Sequence, residues 1–487
     1  MSQSAPPPAA SRDFIGHPVG LYVLALTETW ERFCYYGMRA LLVLYMTKFL
    51  FLPEHAGNVV GYHAVEHGLE AIFGKLSTQA LSSQIYGLYT GLVYLTPLAG
   101  GMIADRYWGQ RKTVLVGGVI MAIGEFVMMV PSLFYAGLIL LIIGNGAFKP
   151  NISTQVGALY PKGDPRRDRA YNIFYVGINL GAFIAPFICG TLGERYGWGL
   201  GFGSAGVGMI GGLIFYLWGQ KYLAPDLVMA RTRTTKDEVN ASGAPSKSGS
   251  ASGAVAKFTK DEWGKILALV ALCLLNVPFW AVYEQQGNTL ALWADGNTNR
   301  QIFGFLGSSW EIPATWFQAV NPFFIGALTP FINMLWERQQ KKGTEPSGVT
   351  KMALGCGLLG ISFLIMIGGA RAYASGQLAS VWWLVGCTFL LTVGEIYISP
   401  VGLSLVTKIS PPRIVSMMMG FWLMSSFGGN YLCGYLGTFW EKMSKEAFFI
   451  LMAGIAFAAG IAMVALFIPL KKAIGNENGD EIPTPAE

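Results

Sequence analysis

The apolar residues of the chain fall into long blocks that are separated by short polar stretches. Each block has about 20 residues, the length that a helix needs to cross roughly 30 Å of hydrocarbon. The pattern therefore predicts an all-α membrane protein with twelve transmembrane helices. The predicted spans lie at about residues 20–50, 82–104, 113–131, 134–158, 170–194, 199–222, 262–293, 312–337, 351–370, 380–404, 412–440 and 446–470.

One polar stretch, residues 223–261, interrupts this pattern and divides the spans into two groups of six. It is rich in Ser, Gly and Ala, so we expect a flexible linker there. Two six-helix bundles indicate the major facilitator fold, in which the substrate site lies between the halves near the middle of the bilayer. The predicted organisation is an N-terminal tail at 1–19, a first bundle at 20–222 with a long outer loop at 52–81, the linker, a second bundle at 262–470 and a C-terminal tail at 471–487.

The loop after the second span contains "GGMIADRYWGQRK", residues 100–112. This segment resembles the cytoplasmic loop motif of the major facilitator superfamily. We expect Asp105 and Arg106 to cap helix ends and to pair with charges on neighbouring helices.

Composition and charge agree with a membrane protein. The chain is 53% hydrophobic and only 13% charged, whereas a soluble protein has about a quarter charged residues. Its net charge of +6 does not indicate nucleic-acid binding, because Lys and Arg cluster in alternate loops. The positive-inside rule places those loops and both termini in the cytoplasm, so we predict a multi-pass protein of the plasma (inner) membrane. The six cysteines lie singly in apolar segments, which favours buried free thiols over disulfides or a metal site.

Several charged residues lie inside the predicted spans. Each costs about 2.5–3.5 kcal/mol on insertion scales, and such residues usually line a polar cavity. On the first span, helical spacing places one group on a common face, with Glu31 and Tyr36 beside it: Glu28, Arg32, Tyr35 and Arg39. The alternative is that the charges pair only with each other and hold helices together. For Glu125, on the third span, a structural and a functional role stay equally open.

The charges divide between the two halves of the chain. Arg32, Arg39 and Lys149 belong to the first half, and Lys149 precedes the helix-breaking Pro150. Glu284 and Glu395 belong to the second half. A zwitterion would fit between them, with its carboxylate towards the first half and its ammonium towards the second.

The segment "ETWERFCYYG", residues 28–37, resembles the ExxERFxYYG motif of the proton-dependent oligopeptide transporter family. The segments "GAFKPNIS", "FYVGINLG", "FWAVYEQQG" and "GEIYISPVGLS" are similar to that family's signatures in the matching spans. The resemblance covers nearly all twelve spans. It implies a symporter, not an enzyme, that imports di- and tripeptides together with protons; peptide-like drugs are further candidate substrates. It implies no cofactor, since the proton is the coupling ion.

The resemblance also implies roles for individual residues. Arg32 and Lys149 would receive the peptide carboxylate, and Glu395 would receive the peptide amino terminus. Other expected contacts of the substrate are Tyr35, Tyr36, Arg39, Tyr94, Asn179, Asn321 and, in side-chain pockets, Trp280, Trp422 and Ser426. The residues expected to couple transport to protons are Glu28, Glu31, Arg32, Lys149 and Glu284.

For the coupling step, we expect a salt bridge between Lys149 and Glu284 that joins the two bundles and that a proton or a peptide carboxylate breaks. Glu28 and Glu31, close to Arg32, would hand the proton inward. Animal members of the family carry a proton-coupling His early in the second span, and this chain has Gly87 near that point. Coupling should therefore rest on carboxylates, unless the outer loop brings His67 into the cavity.

Two other interpretations stay open. A related carrier for nitrate, a glycoside or a peptide-like drug would be expected to lose part of the zwitterion-binding set, which is present here. The outer-loop segment "HAVEH", with His63, Glu66 and His67, matches an H-x-x-E-H zinc peptidase pattern. The same segment is also typical of a short amphipathic helix at the membrane surface.

Overall fold

The computed structural model describes residues 13–161, 164–226, 258–301, 310–411 and 414–474. Most of the predicted linker, 227–257, lies outside the described residues, as do Lys162, Arg413 and both chain ends. Within these ranges the chain forms twelve long helices, as predicted. They are α1 Val19–Tyr45, α2 Thr78–Leu95, α3 Gln110–Met128, α4 Phe134–Ala158, α5 Arg166–Ala185, α6 Trp198–Gly219, α7 Lys260–Tyr283, α8 Val320–Lys341, α9 Gly348–Ala374, α10 Val381–Ile409, α11 Val415–Gly437 and α12 Lys445–Ile474.

Several of these helices continue into short α-helical, 3₁₀-helical or π-helical segments, which lengthen the spans. The extensions are Met46–Leu50 after α1, Pro97–Ile103 and Ala104–Trp108 after α2, Pro186–Gly190 and Thr191–Tyr196 after α5, Gln220–Tyr222 after α6, Glu284–Gly287 and Thr289–Gly296 after α7, and Ala314–Ala319 before α8. Short helices also form at Pro53–Ala56, Tyr62–Phe73 and Pro131–Leu133. Two small two-stranded sheets pair β1 Asp13–Phe14 with antiparallel β2 His17–Pro18, and β3 Thr298–Asn299 with parallel β4 Ala379–Ser380.

The length and apolarity of these helices fit a membrane. Among the described residues, nine helical segments are long and apolar enough to cross one. α1, α3 and α11 are not among them. Four charged residues lie in α1: Glu28, Glu31, Arg32 and Arg39. α12 runs to Ile474, a little past the predicted end of its span.

Each half of the chain packs as a six-helix bundle, which confirms the predicted fold class. In the first bundle α1 packs on α5 and α6, and α3 packs on α4; in the second, α9 packs on α10 and α12, and α7 packs on α11. The bundles meet where α2 packs on α11 and α5 packs on α8. The α2–α11 contact is very close at Gly87, where an added Cβ would lie 2.7 Å from the Asn430 carbonyl oxygen and from Gly434 Cα.

The two bundles are joined at the end of the molecule that carries the loop between α1 and α2, which we call the sealed end. There Lys48 Nζ lies 2.8 Å from Asp295 Oδ1. Glu194 of the first bundle accepts hydrogen bonds from the backbone N–H groups of Ala314 (2.9 Å) and Thr315 (2.8 Å). Within the described ranges, the ion pairs and hydrogen bonds between the bundles lie in this half of the molecule or near its middle. We call the opposite end the open end.

At the open end, the loop motif behaves differently from the prediction. Gly109 has a φ of +78° and ends the helical run that follows α2. Asp226, rather than Asp105, caps α3: its two carboxylate oxygens accept from the Arg111 backbone N–H at 3.1 and 3.2 Å. Asp226 can reach this position because the chain returns to the α2–α3 loop directly after α6. Among the described residues, neither Asp105 nor Arg106 forms an ion pair.

The open end also carries a small hairpin, β1–β2, that rests on the loop between α4 and α5. His17 Nδ1 lies 2.8 Å from the Tyr160 hydroxyl. Burial raises the pKa of Tyr160 to about 12, while hydrogen bonds from Arg166 lower the pKa of Asp164. The hairpin therefore holds the start of α1 against the end of α4.

Candidate functional site

A cavity of about 820 Å³, part of it open to solvent, lies between the two bundles. α1, α2 and α5 form one wall, and α7, α8 and α10 form the other. Many of the predicted site residues line it: Tyr36, Arg39, Tyr94, Asn179, Trp280, Glu284, Asn321 and Glu395. The sequence analysis missed other lining residues, which are Tyr175, Tyr283, Gln286, Gln318 and the apolar Ile178, Ala182, Pro186, Pro322 and Ile325.

Arg39 and Glu284 form an ion pair that joins α1 to the end of α7 across the cavity. Both side chains are buried, and Arg39 Nε also donates to the Tyr86 hydroxyl at 2.7 Å. The predicted pair between Lys149 and Glu284 is therefore wrong for this structure. Arg39 lies two helical turns beyond Arg32 towards the sealed end, level with the point where α7 changes to a 3₁₀ turn. Lys149 instead places its ammonium over the ring of Tyr94, 4.5 Å from the centroid.

A second cluster of charges lies inside the first bundle. Arg32 Nε contacts Glu28 Oε1 at 3.1 Å and forms a shorter bond to Glu31. Asn145 Nδ2 donates to Glu31 Oε1 at 2.9 Å. The three charged side chains are at most 4% exposed and do not line the described cavity. The structure thus brings these predicted residues together, but behind the cavity wall rather than in it.

Glu395 presents its carboxylate on the wall formed by the second bundle. Its Oε2 accepts from the Tyr283 hydroxyl at 2.6 Å and from Asn321 Nδ2 at 3.1 Å. Asn321 therefore contacts Glu395, and its Nδ2 also donates to Thr392 Oγ1 at 3.0 Å. One signal in the sequence was available for Tyr283: it stands three residues after Trp280, so the two share a helical face.

The remaining predicted contacts are divided between the cavity and the core. Trp280 lines the cavity, whereas Trp422 and Ser426 of α11 are buried and lie outside its lining. Trp422 packs directly on α10 where Gly402 leaves room for its ring. Tyr35 is buried as well, with the Arg32 guanidinium 5.2 Å from its ring centroid.

Glu125 is fully buried on α3, away from the cavity lining. Its Oε1 accepts from Cys34 Sγ at 3.3 Å. Cys34 and the other five cysteines are free and buried, as predicted. The contact joins α3 to α1 within the first bundle and leaves the role of Glu125 open.

The outer-loop motif lies on the short helix Tyr62–Phe73. His63 Nδ1 and Glu66 Oε2 are 3.3 Å apart, and the rings of His63 and His67 are 6.3 Å apart. Burial and the hydrogen bond to Glu66 raise the pKa of Tyr62 to about 12. In the part of the chain that the structure describes, no group of three or more His, Cys, Asp or Glu side chains could hold a metal ion.

Two six-helix bundles around a central polar cavity define a membrane transporter with the major facilitator fold. The model of the POT family matches residues 111–225 and 230–455, so the chain belongs to that family. It is 32% identical over 504 residues to the "Uncharacterized transporter YclF" of Bacillus subtilis (strain 168), covering 95% of this chain and 96% of that protein.

Further relatives connect the chain to peptide transport. It is 32% identical over 518 residues to a "Di-/tripeptide transporter" of Lactococcus lactis subsp. cremoris, covering 96% of this chain and 98% of that protein. A crystal structure of a mutant of the peptide transporter POT in complex with sulfate superimposes with a TM-score of 0.79 at 30% identity, covering 96% of this chain and 98% of that one.

Proposed function

We propose that this protein is a proton-coupled symporter that imports di- and tripeptides by alternating access and binds them as zwitterions in the central cavity. The observation that carries the proposal is the distribution of charge: the cavity has Arg39 on the wall of the first bundle and Glu395 on the wall of the second. A peptide with free termini carries the complementary charges at its two ends.

The cationic wall extends behind the lining residues. Lys149 lies against Tyr94, which itself lines the cavity. A peptide carboxylate that displaces the Tyr94 ring would meet the Lys149 ammonium and the Arg39 guanidinium. A related transporter holds an anion, sulfate, in its crystal structure. Arg32 would act from behind this wall, through the buried cluster with Glu28 and Glu31.

For coupling, we assign the switch to the pair between Arg39 and Glu284, in place of Lys149 and Glu284. A proton on Glu284 would remove the charge that holds α7 to α1 at the sealed end. A membrane potential of 100 mV supplies about 2.3 kcal/mol of free energy when one charge crosses the membrane. A hydrogen bond to a charged group contributes about 1.5–3 kcal/mol, so one proton is enough to shift the pair. A peptide carboxylate would compete with Glu284 for Arg39. Binding of the peptide would therefore free Glu284 to take up a proton.

The distribution of Lys and Arg gives the orientation of the proposed symporter. The sealed end faces outside, and the open end and both termini face the cytoplasm of a cell with this chain in its inner membrane. The symporter needs no cofactor, and it is not an enzyme. Peptide-like drugs with the same two charged ends are further substrates of this mechanism.

The test is uptake of labelled dialanine by the purified protein in liposomes. Acid outside should drive accumulation, and a protonophore should abolish it. At equal pH, unlabelled dialanine inside should still drive counterflow. If dialanine gave no counterflow while nitrate or a glycoside did, the chain would be a carrier for another solute.

A further inference from the structure

Tyr283 makes the shortest hydrogen bond to Glu395 among the described residues, and no role is yet attached to it. Its hydroxyl donates to Glu395 Oε2 at 2.6 Å, and Asn321 donates to the same oxygen. The second carboxylate oxygen, Oε1, accepts no hydrogen bond from the described residues. Both Tyr283 and Glu395 line the cavity.

Each donor is itself held by a second contact. The Tyr283 ring stacks on Phe279, with centroids 5.8 Å apart, and meets Trp280 edge-on at 5.2 Å. Asn321 Nδ2 is shared with Thr392 of α10, one turn from Glu395. Helices α7, α8 and α10 therefore fix the plane of the carboxylate, because neither donor can turn away without losing another contact.

We propose that Tyr283 is a positioning residue for amine recognition: it holds Oε2 of Glu395 so that Oε1 is left to receive the peptide ammonium. The proposal rests on the proposed function, in which Glu395 is the receptor of the amino terminus. A carboxylate fixed before the ligand arrives does not lose rotamer freedom on binding, so affinity for a free amine is higher.

This role makes Tyr283 a determinant of specificity. Peptides with a free amino terminus benefit from the fixed carboxylate, whereas N-acetylated peptides have no ammonium to place on Oε1. Loss of the hydroxyl should therefore weaken only the first class. A hydrogen bond to a charged group corresponds to about a tenfold change in affinity.

The experiment compares the dissociation constants of dialanine and N-acetyl-dialanine for the parent protein and for Tyr283→Phe, which keeps the ring and removes the hydroxyl. The matched control is Tyr216→Phe. The Tyr216 hydroxyl donates to Gln155 Oε1 at 3.0 Å in the core of the first bundle, away from the cavity. All three proteins are first checked for monodispersity, and N-acetyl-dialanine serves as an internal measure of an intact cavity.

We expect Tyr283→Phe to raise the dissociation constant of dialanine about tenfold and to leave that of N-acetyl-dialanine unchanged. Tyr216→Phe should change neither dissociation constant. Equal weakening of both ligands by Tyr283→Phe would assign the hydroxyl a merely structural role and overturn the inference. No weakening of either would also overturn it. If the parent itself bound both ligands equally, Glu395 would not be the amine receptor, and the proposed site would fail before the role of Tyr283.

Discussion

The two arginines of α1 belong to separate clusters of charged side chains with different partners. Arg32 is held by Glu28 and Glu31 inside the first bundle. Arg39 is held by Glu284 of the second bundle. A change in the relative position of the bundles leaves the first cluster intact and breaks the second. The pair of Arg39 and Glu284 is therefore the one that can report the state of the transporter.

The first prediction concerns a single side chain, in the variant Glu284→Gln. The amide keeps the shape of the side chain and removes its charge, as a proton would. We expect accumulation of dialanine driven by a pH gradient to fall to the equilibrium level, while counterflow at equal pH continues. Both are measured in the liposome assay.

The matched control for this variant is Glu446→Gln. Glu446 pairs with Arg371 at the surface, and an exposed pair contributes only about 0–1 kcal/mol. Accumulation should be normal in this control. Concentrative uptake by Glu284→Gln would exclude Glu284 as the coupling carboxylate and leave Glu28 and Glu31 as candidates.

The second prediction separates Arg32 from Lys149. We expect either substitution by Ala to abolish concentrative uptake. Arg32→Ala should also destabilise the fold by about 3–5 kcal/mol, because it leaves buried carboxylates without a cation. Lys149 forms no ion pair among the described residues, so Lys149→Ala should reduce the free energy of unfolding much less. Thermal unfolding in detergent measures the difference, and equal melting temperatures for the two variants would contradict it.

Among the elements, α2 and α11 form the largest contact between the described parts of the two bundles. The backbones of the two helices approach closely at Gly87, because a Cβ there would meet backbone atoms of Asn430 and Gly434. A larger side chain at this position would not fit this packing.

The third prediction follows from this contact. Overpacking typically costs about 1–3 kcal/mol, so Gly87→Ala should disfavour the closed sealed end and reduce uptake about tenfold. The control is Gly454→Ala on α12, where no atom lies within 4 Å of an added Cβ. Initial uptake rates test both variants. A normal uptake rate for Gly87→Ala would contradict the prediction, because it would show that α2 and α11 can move apart without a loss of transport activity.

For the whole molecule, the fourth prediction is the direction in which the cavity opens. Ile178 lines the cavity, and the six native cysteines are buried. Ile178→Cys should react with a membrane-impermeant maleimide in inside-out vesicles and not in intact spheroplasts. The control, Lys75→Cys, lies on the exposed loop of the sealed end and should show the reverse. The opposite labelling of Ile178→Cys would place the open end outside.

Periodicity and composition were sufficient for the fold, because a helix that crosses a bilayer must satisfy its own backbone and show lipid an apolar surface. The twelve spans follow from that local requirement, and their grouping into six and six follows from the polar stretch at 223–261. The same rule selects the residues of the site, since charge within a span is costly and is kept where it has a use. The amino-acid sequence alone is enough to select Arg39, Glu284 and Glu395 in this way.

The partners of those residues could not be found from the sequence, because they depend on how two bundles pack. The sequence predicted Lys149 as the partner of Glu284, but the packing of α1 against the end of α7 places Arg39 there instead. The bond from Tyr283 to Glu395 joins residues 112 positions apart. The sequence determines which helices form and which residues carry charge; the tertiary structure decides which charges meet, because distance and burial set electrostatic interactions in a protein.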